Sequence, residues 1–212
     1  MEQPPSSTPS SLRLFVALEL PEAWKTALGA LQDEMRAALH DRFGDAVRPR
    51  WVRTDGIHLT LKFLGATPAS RLDAVETALR QAVPSLAPFS LQLANAGSFA
   101  DRRAPRVILA GVHGDTQPLF ALAEMVETWL AAAGWPRERR SFRPHLTLAR
   151  LPETLDDATR RAVAGITTAC KSPEVPPWAV DHVALIRSHL GPNGARYERL
   201  AVFPPDRAAR PS

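Results

Sequence analysis

The stretch IHLTLKFL at residues 57–64 contains four residues, HLTL, that occur a second time at residues 145–148. In a chain with 6 His, the pattern H-x-T is expected about 0.4 times by chance, so two copies with apolar neighbours indicate a function. Both copies alternate polar and apolar residues, which is typical of a half-buried β-strand. The repeat therefore predicts two similar strands, each presenting one His and one Thr.

Alternation along the first strand predicts which side chains share a face. Successive side chains of a strand point to opposite faces. His58, Thr60 and Lys62 are therefore predicted on one face, and Phe63 is predicted with the leucines on the core face.

The second strand predicts a matching set, in which Arg143, His145 and Thr147 share one face. Two imidazoles suit general acid and general base catalysis at neutral pH. Hydroxyls and cations suit the oxygens of a phosphodiester. No carboxylate cluster with metal-ligand spacing lies near either strand. The set predicts phosphoester hydrolysis without a metal.

The rest of the chain predicts one α+β unit with two lobes. Helical periodicity is found at residues 21–40, 70–83, 119–133 and 156–165, and further strands are predicted at 12–20, 89–99, 106–112 and 179–203. We predict a single bilobal domain over residues 12–203, a disordered tail at 1–11 and a loose tail at 204–212.

Composition narrows the class of protein. The chain is 45% hydrophobic and 23% charged with a net charge of +4, which fits an RNA ligand but does not establish one. The single cysteine, Cys170, excludes an internal disulfide, and a cytoplasmic location is expected. The sequence contains no signal peptide, no membrane span, no P-loop and no G-x-G-x-x-G, so neither ATP nor a dinucleotide is expected as cofactor.

Five segments in order along the chain carry a family resemblance: RLFVALEL, RWVRTDGIHLTLKFLG, PRVILAG, FRPHLTLAR and VALIRSHLGPNGARYERL. The chain resembles the 2H phosphoesterase superfamily and, within it, the RNA 2′,3′-cyclic phosphodiesterases, also named 2′,5′-RNA ligases. The resemblance implies two pseudo-symmetric lobes, each an antiparallel sheet with outer helices, around a central cleft. It also implies hydrolysis of a terminal 2′,3′-cyclic phosphate to a 2′-phosphate, with no cofactor and no metal.

The same resemblance implies roles by position in the two motifs. His58 would be the general acid on the 3′-oxygen, and His145 would be the general base on water. Thr60 and Thr147 would bind the phosphate oxygens.

Residues close to the two HLTL motifs are also candidates for substrate binding. The resemblance implies that Phe63 and Arg150 contact the nucleoside, whereas alternation predicts Phe63 on the core face. Alternation leaves Lys62 and Arg143 as candidate substrate-binding cations.

Three hypotheses for the function stay open at this point, and a fourth, a basic scaffold protein, would require the duplicated strand to be a coincidence. The first is the cyclic phosphodiesterase, acting as a cytoplasmic monomer on RNA with a cyclic phosphate end or on a cyclic nucleotide. The second is a 2′,5′-RNA ligase or 2′,5′-phosphodiesterase that uses the same site. The third is an RNA- or nucleotide-binding module without catalysis, and the intact motifs argue against it.

Overall fold

The computed structural model describes residues 11–83, 88–99, 105–191 and 194–203. The tails expected at 1–11 and 204–212 lie outside these ranges, except for Ser11, which begins the first strand. The strands are β1 Ser11–Glu19, β2 Arg50–Trp51, β3 His58–Pro68, β4 Phe89–Ser98, β5 Val107–Gly114, β6 His145–Arg150, β7 Trp178–Val180, β8 Val183–Gly191 and β9 Gly194–Phe203. The α-helices are α1 Glu22–Phe43, α2 Leu72–Ala82, α3 Thr116–Ala132 and α4 Asp157–Ala169.

The strands form one antiparallel sheet in the order β7-β4-β5-β6-β3-β1-β8-β9, with β2 paired to β6. The two motif strands, β3 and β6, are neighbours at the middle of this order. They pair through one position only, Leu59 with Leu146. The pair divides the order into two lobes of four strands, β7-β4-β5-β6 and β3-β1-β8-β9. The α+β prediction is confirmed, and the lobes are two halves of a continuous sheet.

Each lobe takes strands from both halves of the sequence. Within one lobe, β8 from the second half of the chain pairs with β1, with Leu14 opposite Arg187. Within the other lobe, β4 from the first half pairs with β5. The two halves of the chain are therefore interlocked, so neither half forms a lobe alone.

Both motif strands contain a β-bulge one residue after the threonine. In β3, Thr60 pairs with Ala17 and Lys62 pairs with Val16, so Leu61 is the extra residue. In β6, the pairing with β5 skips Leu148 in the same way. A bulge turns two consecutive side chains to one face and reverses the alternation beyond it. The prediction from simple alternation is therefore wrong from Lys62 onward.

Helices cover the core face of the sheet in two pairs, with α1 against α4 and α2 against α3. Trp24 of α1 is fully buried and donates its indole N–H to the carbonyl of Pro176 at 2.9 Å. Cys170 is buried directly after α4. Among the described residues, no helix is both long and apolar enough to cross a lipid bilayer.

Candidate active site

The four polar residues of the two motifs lie on the sheet face opposite the helices. Leu59 and Leu146 are fully buried on the core side, so their neighbours in each strand point the other way. Because the strands are antiparallel, Thr60 lies toward His145, and Thr147 lies toward His58. Neighbouring strands are about 4.8 Å apart, so both imidazoles and both hydroxyls surround one small region beside the Leu59–Leu146 pair.

Both histidines are oriented by the same backbone contact. His58 Nδ1 lies 2.8 Å from the carbonyl oxygen of Gly56. His145 Nδ1 lies 2.8 Å from the carbonyl oxygen of Arg143. A carbonyl oxygen can only accept a hydrogen bond, so Nδ1 carries the proton in each ring. Each Nε2 is then left as the reactive nitrogen, able to accept a proton in the neutral ring or donate one when the ring is charged.

The bulges place the sixth residue of each motif strand, counted from its histidine, on the site face. Phe63 is 57% exposed, and its ring centroid lies 6.0 Å from that of Phe15. Arg150 is exposed at the matching position of β6, directly after the buried Ala149. Phe63 therefore does not point into the core, contrary to the alternation prediction. Contact of Phe63 and Arg150 with a nucleoside stays a prediction.

Lys62 lies on the other face of β3, away from the histidines. Its side chain is 1% exposed, and Nζ donates to both carboxylate oxygens of Glu127, at 2.9 and 2.8 Å, and to the carbonyl of Pro136 at 2.8 Å. The prediction that Lys62 binds substrate is therefore wrong, because the bulge at Leu61 turns it toward α3.

Arg143 lies just before β6 with an exposed side chain. Its backbone orients the catalytic candidate, since the carbonyl oxygen of Arg143 accepts a hydrogen bond from Nδ1 of His145. Binding of substrate by its guanidinium stays a prediction. In the described part of the chain, no group of three or more His, Cys, Asp or Glu side chains is arranged to hold a metal ion.

Comparison with known proteins places this site in a family. The model of the 2′-5′ RNA ligase superfamily matches residues 20–192, which include both motif strands. The chain belongs to this superfamily. A relative from Thermus thermophilus, named RNA 2′,3′-cyclic phosphodiesterase, is 31% identical over 207 residues, covering 91% of this chain and 89% of its own.

Other relatives carry the same name. One from Methanothermobacter thermautotrophicus is 28% identical over 192 residues, covering 91% of this chain and 98% of its own. One from Geobacillus stearothermophilus is 29% identical over 198 residues, and this chain spans only 56% of that longer protein.

Solved structures agree with the superfamily assignment. The crystal structure of TT0787 from Thermus thermophilus has a TM-score of 0.67 at 30% identity, covering 91% of this chain and 97% of its own. E. coli LigT complexed with 3′-AMP has a TM-score of 0.61 at 27% identity, covering 92% of this chain and 98% of its own.

Aromatic rings surround the two histidines of this superfamily member. The ring of Phe15 stacks on His58 at a centroid distance of 4.5 Å, and the ring of Tyr197 meets His58 edge-on at 5.1 Å. Phe99 meets His145 edge-on at 4.7 Å. These contacts restrict the orientation of both imidazoles and cover part of each ring, and both histidines are half-buried.

None of these aromatic residues was predicted from the sequence as part of the site. Strand alternation in β1 contained part of the signal, because it places Phe15 on the face opposite Leu14. The sequence does not show that β1 lies beside β3, or that β9 brings Tyr197 to the same place.

Burial shifts the proton affinity of both histidines. It lowers the pKa of His58 to about 4; the carbonyl of Gly56 opposes this shift, and the charge of His145 adds to it. Burial also lowers the pKa of His145, and here the nearby charge of Arg150 adds to the shift. At neutral pH the unliganded protein therefore holds two neutral imidazoles. A bound phosphate anion would oppose both shifts.

An NMR titration of the unliganded protein should show the His58 ring protonating near pH 4, and inorganic phosphate should raise this midpoint. The folded pKa lies below the unfolded value of about 6.5, so the unfolded chain takes up a proton first as the pH falls. His58 therefore lowers the free energy of unfolding progressively as the pH falls from about 6.5 to 4, and it has no such effect above pH 6.5. A midpoint at or above about 6.5 in the unliganded protein would contradict this prediction.

Proposed function

We propose that this protein hydrolyses the 2′,3′-cyclic phosphate at the 3′ end of RNA to a 2′-phosphomonoester. The observation that carries the proposal is the pair of H-x-T motifs, brought together at the Leu59–Leu146 pair with both Nδ1 atoms held by carbonyls. Relatives named RNA 2′,3′-cyclic phosphodiesterase support the same reaction. Solved complexes of E. coli LigT with 3′-AMP and with phosphate support a phosphate site in this fold.

The reaction needs one proton acceptor and one proton donor on opposite sides of phosphorus. His145 Nε2 takes a proton from water, and the water oxygen forms a new bond to phosphorus. The bond from phosphorus to the 3′-oxygen breaks, and His58, which takes up a proton at Nε2 when the substrate anion binds, gives that proton to the 3′-oxygen. The phosphate remains on the 2′-oxygen, and the 3′-hydroxyl is restored. Thr60 and Thr147 donate hydrogen bonds to the non-bridging oxygens, where negative charge develops.

The residues that follow the two motifs, Phe63 on β3 and Arg150 on β6, differ in charge, so the two histidines lie in different electrostatic surroundings. Arg150 lies close enough to His145 for its charge to disfavour the imidazolium there. Its counterpart on β3, Phe63, carries no charge. The charge of Arg150 helps to keep His145 neutral, the form that a general base needs. Burial keeps His58 neutral in the unliganded protein as well, so its role as the acid requires the bound phosphate anion to raise its pKa from about 4.

The test is incubation of the protein with a 2′,3′-cyclic nucleotide in the presence of EDTA, with chromatography that resolves 2′- from 3′-phosphate products. We expect turnover in the presence of EDTA, because side chains supply the acid, the base and the phosphate contacts. The product should be the 2′-phosphate alone, because the 3′-oxygen is the leaving group. Formation of the 3′-phosphate, or no reaction, would overturn the proposal. Tight binding without turnover would instead favour a non-catalytic module.

The superfamily description favours a second candidate, a 2′,5′-RNA ligase or 2′,5′-phosphodiesterase that uses the same histidines. Joining two RNA ends by this route is the reverse exchange at phosphorus, with a 5′-hydroxyl in place of water. Cleavage of 2′,5′-linked dinucleotides, measured beside the cyclic substrate, separates the two activities. RNA is the proposed partner in either case, and we expect the protein to act as a monomer in the cytoplasm.

A further inference from the structure

Two arginines face each other across the short β2–β6 pair, beside the proposed active site. Arg50 of β2 lies directly opposite Arg150 of β6 in the antiparallel register, and Trp51 lies opposite Ala149. Directly opposed residues project from the same face of a sheet. Arg50 and Arg150 therefore point the same way.

The neighbouring pair shows which face this is. Ala149 is fully buried, and Trp51 packs against the core on the helix side, where Arg36 of α1 lies 4.8 Å from the centre of its ring. Alternation then puts Arg50 and Arg150 on the opposite face, which carries the histidines. Both arginine side chains are exposed on that face.

A third arginine belongs to the same neighbourhood. The charges of Arg13 and Arg150 both act on the Tyr197 phenol, opposing the effect of burial, which raises its pKa. The ring of Tyr197 in turn contacts His58. Arg13 and Arg150 therefore both lie near the Tyr197 phenol, and Arg50 lies opposite Arg150; these three residues are called the arginine cluster below.

Nothing in the described part of the chain neutralises the arginine cluster. Among the described residues, no carboxylate forms an ion pair with Arg13, Arg50 or Arg150, although arginines elsewhere, such as Arg48 and Arg53, have such partners. Like charges placed directly opposite on two strands are destabilising. Such an arrangement fits a site whose counter-charge arrives with the ligand.

We propose that the arginine cluster binds a second phosphate of the substrate, the phosphodiester on the 5′ side of the terminal nucleotide. This inference rests on the proposed function. Arg150 follows Thr147 by three residues, a distance of at most about 10 Å along the strand. A cyclic mononucleotide has only the reacting phosphate, whereas an RNA end carries its next anion one nucleotide away. Arginine is well suited to a phosphodiester because its guanidinium makes paired hydrogen bonds to phosphate oxygens. The cluster selects an RNA end over a free cyclic nucleotide.

The test compares three substrates that differ in that one phosphate. They are a 2′,3′-cyclic mononucleotide, a dinucleotide with the same cyclic end, and the same dinucleotide with an uncharged methylphosphonate linkage. We expect wild-type kcat/KM to be about tenfold higher for the charged dinucleotide than for the mononucleotide. The methylphosphonate should lose this advantage, since it keeps the second nucleoside and removes only the charge. R50Q should bring the ratio of charged dinucleotide to mononucleotide close to one.

The matched control is R48Q, an exposed arginine of the same segment that pairs with Asp45; it should keep the wild-type ratio. The charged dinucleotide should also show a steeper fall of log(kcat/KM) with log[salt], by about 0.7 for one extra phosphate contact. If R50Q lowers both substrates equally, the cluster acts on the reacting phosphate and the inference is wrong. A ratio near one in the wild type would also overturn it. No turnover of the mononucleotide would overturn the proposed function itself, and the inference with it.

Discussion

Replacing His145 with asparagine should lower kcat/KM on a 2′,3′-cyclic nucleotide by about 10²- to 10⁴-fold, the range for loss of a general base. The same change at His58 should have an effect of similar size through loss of the acid. Asparagine is the sharpest choice because its side-chain N–H₂ takes the place of Nδ1. It keeps the hydrogen bond to the carbonyl of Gly56 or Arg143, and it removes only the Nε2 function.

The double variant provides a further check on the assignment. Two groups that act in the same chemical step do not contribute independently, so losses in the double variant are far from additive. The kcat/KM of the double variant should therefore be only slightly lower than that of the less active single variant. Fully multiplicative losses would mean that the two histidines act in separate steps.

A matched control uses a histidine outside the site. His113 lies on β5 with an exposed side chain, and H113N should retain wild-type kcat/KM. Circular dichroism and thermal unfolding of all the variants show whether a loss of rate is a loss of fold. If H145N and H58N retain more than about a tenth of wild-type activity while folded, the two-histidine mechanism is wrong.

The local part of this site could be predicted from the sequence. The recurrence of HLTL identified the two strands, and alternation over the first three residues put each His beside its Thr. The same alternation failed after Thr60, and it would fail after Thr147 as well, because a bulge depends on the register with a neighbouring strand. That register is set by β1 for one motif and by β5 for the other, and single-sequence periodicity contains no information about either pairing.

The non-local part of the site was not predictable in the same way. Phe15 and Tyr197 meet at His58, although 182 positions separate them along the chain (197 − 15). Arg50 belongs to a strand of only two residues, too short for any alternation to be recognised. Its neighbourhood is defined solely by pairing with β6. Long-range pairing is thus the information that the sequence alone does not supply, and the arginine cluster depends entirely on it.

Replacing Lys62 with methionine should lower the free energy of unfolding by about 3–5 kcal/mol, the usual cost of removing one partner from a buried ion pair. The change leaves the Glu127 carboxylate without its cation and the carbonyl of Pro136 without its donor. Urea unfolding, followed by circular dichroism, measures the loss. The matched control is K25M, which removes a lysine paired with Glu22 on the surface of α1; exposed pairs contribute at most about 1 kcal/mol.

Activity separates the structural role of Lys62 from the substrate-binding role that alternation predicted. A lysine that held a phosphate would, when replaced, lower kcat/KM strongly at any temperature. The folded K62M protein should instead lose less than about tenfold, assayed well below its unfolding temperature, because Nζ lies on the helix side of β3. A loss as large as that of H58N, with stability unchanged, would show that the bulge at Leu61 does not turn this side chain away from the site.

Substitutions of Glu127, the partner of Lys62, test whether the loss of stability comes from the ion pair. In E127Q the amide keeps an acceptor for Nζ but loses the charge, so the loss of stability should be smaller than in K62M. The double variant K62M/E127M removes both charges together, and it should be more stable than K62M, because a buried carboxylate without a cation costs more than an apolar contact of similar volume. The recovery should be incomplete, since Glu127 also accepts a hydrogen bond from the backbone N–H of Glu138 at 2.7 Å. The ion pair thus binds the segment before β6 at two points: Glu127 accepts from the N–H of Glu138, and Lys62 donates to the carbonyl of Pro136. The bulge that exposes Phe63 thus turns Lys62 toward the chain that carries the other histidine, so one irregularity in β3 serves both motif strands.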